Sequence, residues 1–176
     1  DSVSASATNL VIAEIMYHPP ETTAAVRAVG FENADDFEFV RLVNIGTTPI
    51  DLAGVRFDPG ITYDFTSGAL RYLNPGAGVL VVANLAAFQL RYGHGADATI
   101  AGLYAGNLSN GGERLRLIDA SGSTLRDLTF GDLPPWPIGA DGDGPSLILV
   151  DPAANPDHAD PANWIPSAIP GGLPMG

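Results

Sequence analysis

Two glutamates, Glu14 and Glu38, sit where the chain is otherwise apolar. Side chains in a strand alternate between faces. That period puts Leu10, Ile12, Glu14 and Met16 on one face of the first run, and Glu38, Val40 and Leu42 together in the second, with Phe37, Phe39, Arg41 and Val43 opposite. Two carboxylates brought together in a low dielectric repel unless a cation, a proton or hydrogen-bond donors intervene. A hard cation such as Ca²⁺, which takes oxygen ligands, is one solution. The other is local, each carboxylate accepting backbone N–H groups from a loop or pairing with an arginine. A second acidic pair, Asp141 and Asp143 in ADGDGP, is spaced like the opening of a calcium loop but lacks the bidentate Glu such a loop ends on. Asp and Gly in that arrangement also make an ordinary turn.

The aromatic candidates are Trp136 in PPWP and Trp164 in ANWIP. Exposed together on a sheet they would form a platform for stacking sugars; buried, each would plug a core edge and hold its irregular loop. The histidines, His18, His94 and His158, fall in loops or beside Pro and Gly, with no spacing for a zinc site, and are expected at the surface. No G-x-S-x-G elbow or H-E-x-x-H helix is present, and no motif supplies a nucleophile with its base. Paired acids of the glycosidase kind would need a cleft that sequence cannot show. The expectation is a domain with no catalytic residues and no cofactor, unless Ca²⁺ at Glu14, Glu38, Asp141 and Asp143.

These residues must be carried by strands. Asn9–Tyr17 is a first strand ended by Pro19 and Pro20, and Phe37–Asn44 leads through GTTP into Ile50–Phe57. Between them, 21–35 lacks a period of two and reads as a surface insertion with at most one or two helical turns. Short strands follow at Ile61–Phe65 and Leu70–Leu73, then Val79–Ala83, a β-branched run suited to burial on both faces. Asn84 caps one helix, Leu85–Tyr92, stopped by Gly93, with Leu85, Phe88 and Tyr92 on one stripe. Arg114–Asp119 and Leu125–Phe130 form a hairpin, and Ser146–Val150 is the last strand before an irregular tail pinned by Trp164. Many short strands with turn punctuation and little helix argue for an antiparallel β-sandwich, with a small barrel as the alternative.

Composition narrows the partners. The 176 residues carry a formal charge of −12 and no lysine, so no basic stripe exists to neutralise phosphates or an anionic bilayer. Nucleic acid is excluded as an expected partner. No apolar run approaches the roughly 20 residues that cross a bilayer, and membrane insertion is not expected. Cysteine is absent, which rules out disulfides and thiolate metal sites. The 21 Gly and 15 Pro promise plentiful loops. The start at Asp1 and the compositions of 1–8 and 168–176 read as linkers flanking one domain over 9–167, in a segment excised or processed from a longer chain.

In this order the segments VIAEIMYHPP, EFVRLVNIG, IDLAGVRF, LNPGAGVLVVAN, LSNGGERLRLID, PWPIGADGDGPSL and NWIPS resemble a lamin-tail domain of the bacterial secreted type. The resemblance covers nearly the whole chain. It implies an immunoglobulin-like sandwich of seven to nine strands in rough terms, and it supplies no catalytic residues. Arg41 stands where the family often has an acid, and the insertion before Asp36 is long. The function expected is a non-catalytic interaction or structural module of a larger secreted or cell-surface protein, beside neighbouring domains, a protein partner or a surface glycan. A Ca²⁺-dependent or carbohydrate-binding accessory module is the alternative, and a cryptic hydrolase a third.

Overall fold

Apolar alternation and turn residues divide the chain into thirteen short strands and two α-helices in the computed structural model, which describes residues Asp1–Gly176. In chain order these are β1 (Val3–Ser4), β2 (Leu10–Met16), α1 (Ala24–Ala28), β3 (Phe39–Asn44), β4 (Ile50–Asp51), β5 (Arg56–Phe57), β6 (Tyr63–Asp64) and β7 (Tyr72–Leu73). Then come β8 (Gly78–Val82), α2 (Leu85–Tyr92), β9 (Ile100–Leu103), β10 (Arg114–Ile118), β11 (Thr124–Thr129), β12 (Leu147–Leu149) and β13 (Trp164–Pro166). A six-stranded sheet runs β13-β12-β2-β3-β8-β9, a four-stranded sheet runs β11-β10-β5-β6, and β1-β4-β7 form a small third sheet. The architecture is an immunoglobulin-like β-sandwich. Most pairings are antiparallel, as expected, but β1 with β4 and β8 with β9 are parallel.

The core lies between the sheets. Ile12, Ile15, Val40, Leu42, Val79 and Val81 from the six-stranded sheet meet Phe57, Leu115, Leu117, Leu125 and Leu128 from the four-stranded one. The other face of the six-stranded sheet is also apolar, because α2 covers it: Met16, Phe39, Leu80 and Val82 pack beneath Phe88. Phe39 meets the rings of Phe88 and Tyr92 edge-on, at 5.8 Å each. Burial on both faces explains why Val79–Ala83 reads as an unbroken β-branched run. The helix starts where Asn84 accepts from the Ala87 N–H and ends at Gly93 with φ +71°. Its expected stripe holds at Phe88 and Tyr92, whereas Leu85 is exposed.

Two expectations are corrected by strand order. Ile50–Phe57 is two strands in different sheets, since the chain turns at Leu52–Val55, where Gly54 takes φ +78° against Ala120 and leaves no room for a Cβ. The presumed linkers both join the domain. Val3 pairs with Ile50 in β1·β4, and 168–176 fold back as a strap over the outer face of the six-stranded sheet, where the Tyr92 hydroxyl donates to the Gly171 carbonyl at 2.7 Å.

One edge of β2 is completed by side chains rather than by a strand. β12 reaches along β2 only from Ile15 to Glu14. Beyond that point Arg126, on β11 of the opposite sheet, donates to the Leu10 carbonyl at 2.8 Å and to the Ala7 carbonyl at 2.7 Å. His158 Nε2 accepts the Ile12 N–H at 3.1 Å. A backbone group buried without a partner would cost on the order of 1–3 kcal/mol, so these contacts substitute for a missing ladder. Replacing Arg126 by Met keeps the apolar stem and removes the donors. We expect Arg126→Met to lower unfolding free energy by about 2–3 kcal/mol in urea denaturation; a loss below about 0.5 kcal/mol would show that the edge is not held this way.

Candidate functional site

Glu14 lies in β2 next to a β-bulge. Ile12 pairs with Leu42 and Ile15 with Val40, while Glu14 faces Arg41 and Met16 faces Phe39, so one extra residue enters between Ile12 and Glu14. An inserted residue reverses the phase of everything after it. Ile12 and Ile15 therefore share the inner face, and Glu14 and Met16 turn outward, beneath the strap. Glu14 is fully buried there. Oε1 accepts from the Ser146 hydroxyl and from the Leu173 N–H, both at 2.6 Å, and Oε2 accepts from Arg41 Nε at 3.3 Å. Burial pushes this carboxyl above its usual range, against the lowering effect of those donors. Gly172 is what allows the strap so close: its φ is +77°, and a Cβ would collide with Glu14 Oε1.

Glu38 ends the short 3₁₀ turn Ala34–Phe37 and stays in phase with Val40 and Leu42 on the inner face. It too is fully buried. Its Oε2 accepts from the Tyr104 hydroxyl at 2.7 Å and the Leu108 N–H at 2.9 Å, while Oε1 has no partner on the protein. Burial raises its pKa to about 8, with Asp35 and Glu113 adding to the rise. The two donors on Oε2 favour the charged form and burial favours the neutral one, and burial is the larger effect.

The bulge thus separates the two glutamates onto opposite faces, and the expectation that they share one site is corrected. Its physical reason is the phase reversal, which sequence periodicity does not register. What each carboxylate does instead is hold a loop backbone, the strap for Glu14 and the 104–108 segment for Glu38. The other candidates are also dispersed. Asp141 pairs with His18 Nδ1 at 2.6 Å, and Asp143 is exposed. Nowhere do three His, Asp or Glu side chains gather within reach of one ion.

Trp136 and Trp164 do come together, with ring centroids 6.3 Å apart. Trp164, however, is 2% exposed and donates its indole N–H to the His158 carbonyl at 2.9 Å, so the two do not form an exposed platform. Trp136 is half-buried against the core. The expectation of surface histidines fails at His158, which is 3% exposed. Its Nδ1 lies 3.0 Å from the Pro156 carbonyl, which fixes the proton there and leaves Nε2 to accept from Ile12. Burial pulls its pKa down to about 4, consistent with a neutral ring. Sequence reasoning passed over Arg126, Tyr104 and Ser146 altogether; the one signal they carry is a polar residue among apolar neighbours, as in LRDL around Arg126.

These groups generate two predictions. An acid whose folded pKa lies above its unfolded value stabilises most below the unfolded pKa and loses that contribution as pH rises through the folded one. For Glu38 the window runs from about 4.5 to about 8. Relative to Glu38→Gln, which is neutral and nearly isosteric, the wild-type protein should lose on the order of a few kcal/mol across that window in denaturation at stepped pH. Parallel pH profiles for the two proteins would contradict a buried neutral Glu38. At the strap, Gly172→Ala should lower the melting temperature and open 168–176 to limited proteolysis. An unchanged cleavage pattern would mean that the strap does not depend on its approach to Glu14.

The chain matches the family model described as Lamin Tail Domain over residues 3–132. No curated protein matches it. Among solved structures it is similar to a DUF4876 family protein from Bacteroides thetaiotaomicron VPI-5482, with a TM-score of 0.54 at 14% identity, covering 94% of this chain and 69% of that one. At that identity the likeness speaks for the fold alone. The family match runs over most of the chain and includes both Glu14 and Glu38, and the protein belongs to the lamin tail domain family.

Proposed function

We propose that this domain is a non-catalytic interaction or spacing module of a larger secreted or cell-surface bacterial protein, acting against neighbouring domains of that chain or a protein partner. The observation that carries the reading is the use made of the buried ionisable groups. Glu14, Glu38, Arg126 and His158 all hydrogen-bond to backbone of loops or strand edges, and the one hydroxyl beside a glutamate in a strand, that of Ser146, is buried with Glu14 rather than open to a cleft. Perturbed titratable groups mark active sites when they face a substrate; here their partners are structural. Family membership supports the same reading, since it brings no catalytic constellation to this sequence. No helix is long and apolar enough to cross a membrane.

The reading is tested by assaying the isolated domain against chromogenic esters, glycosides, phosphates and peptides, beside Glu14→Gln and Glu38→Gln. We expect no turnover that distinguishes wild type from the variants, and loss of partner binding or surface retention when the domain is deleted from its parent protein. Turnover by wild type that disappears in either variant would overturn it.

A further inference from the structure

Arginine is the only strongly basic residue type in this acidic chain, and seven of its eight arginines hydrogen-bond to the protein, three of them to carboxylates. Arg91 differs. It forms no ion pair, and its buried Nη1 has no hydrogen-bond partner. One face of its guanidinium is stacked on the Phe37 ring, 3.8 Å from the centroid, so the group is fixed in place. The adjacent Tyr92 hydroxyl is directed to the Gly171 carbonyl. The residue as a whole is half-buried beside the Tyr92 hydroxyl, and its charge, unlike those of Arg41, Arg71 and Arg114, has no carboxylate opposite it.

Arg91 lines the largest cavity of the molecule, about 540 Å³, which opens where the insertion, α2 and the strap converge. That volume is in the range of small-molecule sites. Its walls include Pro20 and Val26 from the insertion, Tyr92 from α2, and Ile169 and Leu173 from the strap, with Glu21 the one acid. Apolar walls with a single fixed cation suit a monoanion on an apolar body. A phosphate dianion would be only half neutralised, and a sugar would find few polar partners.

We propose that this cavity binds a small carboxylate carried on an apolar chain, of the class of medium-chain aliphatic or arylalkanoic acids, with Arg91 taking the carboxylate and Val26, Ile169 and Leu173 the chain. The proposal goes beyond the module role and does not rest on it. The planar fork of Arg91 matches a carboxylate in two parallel hydrogen bonds, and the stack on Phe37 removes the ordering cost on the protein side. The strap, held by Glu14 and Tyr92, gives the site its third wall.

The test is titration of the intact domain with octanoate, read by melting temperature and calorimetry, beside octan-1-ol and octylammonium. We expect saturable stabilisation by octanoate alone. Arg91→Met should weaken octanoate binding at least about tenfold, and Val26→Trp, which fills the cavity and leaves Arg91 in place, should abolish it. No stabilisation of wild type, an equal effect of octan-1-ol, or octanoate binding that survives both variants would overturn the proposal. If a variant folds poorly, the Arg91 Nε–H resonance of wild type decides: it shifts with octanoate on the proposal, and stays put against it.

Discussion

A carboxylate set into an apolar strand has to be given donors or be neutralised, and the loops of this domain are arranged around that requirement. Glu14 accepts from Ser146, Arg41 and the Leu173 backbone, and so draws together the start of β12, the middle of β3 and the strap. Glu38 draws in Tyr104 and Leu108. Arg126 and His158 do for the open edge of β2 what a neighbouring strand would. Hydrophobic burial between the sheets stabilises the sandwich, but it is non-directional. The polar groups choose one arrangement of the irregular segments.

The scaffold was legible in the sequence because it rests on local periodicity. Val79–Ala83, the helix capped by Asn84 and the hairpin of Arg114–Phe130 follow from alternation and turn chemistry, as does the run ending at Asn44, although its strand starts at Phe39 and Phe37 belongs to a 3₁₀ turn; the family resemblance agrees with them. The site was less legible. A one-residue bulge before Glu14 has no compositional signature, yet it moves that side chain to the other face and parts it from Glu38. Ile50–Phe57 keeps the look of one strand while Gly54 divides it between sheets. His158 and Trp164 owe their burial to each other and to β2, across separations no local window spans.

The outer faces of the two sheets differ in what they present. The space between the sheets is filled, and the outer face of the four-stranded sheet carries the exposed Arg114–Asp127 pair, of small energetic weight. The outer face of the six-stranded sheet has more to offer. There α2, the insertion and the strap meet above Phe39 and Glu14 and leave a cavity with an unpaired cation. Two of the three, the insertion and the strap, have sequences that least resemble regular structure, whereas α2 is the helix that Asn84 and Gly93 delimit. In this fold the regular elements supply rigidity, and the irregular ones supply most of the walls of that cavity.

Amide hydrogen exchange at Leu173 reads the hold of Glu14 on the strap, because this N–H has a buried carboxylate as its only acceptor and no strand or helix to protect it. Protection approaching that of amides in β3 and β8 is expected, with the Leu108 amide protected alongside through Glu38. Exchange of Leu173 at the rate of an exposed loop, with β3 and β8 protected, would contradict it and show that the strap is not held by Glu14.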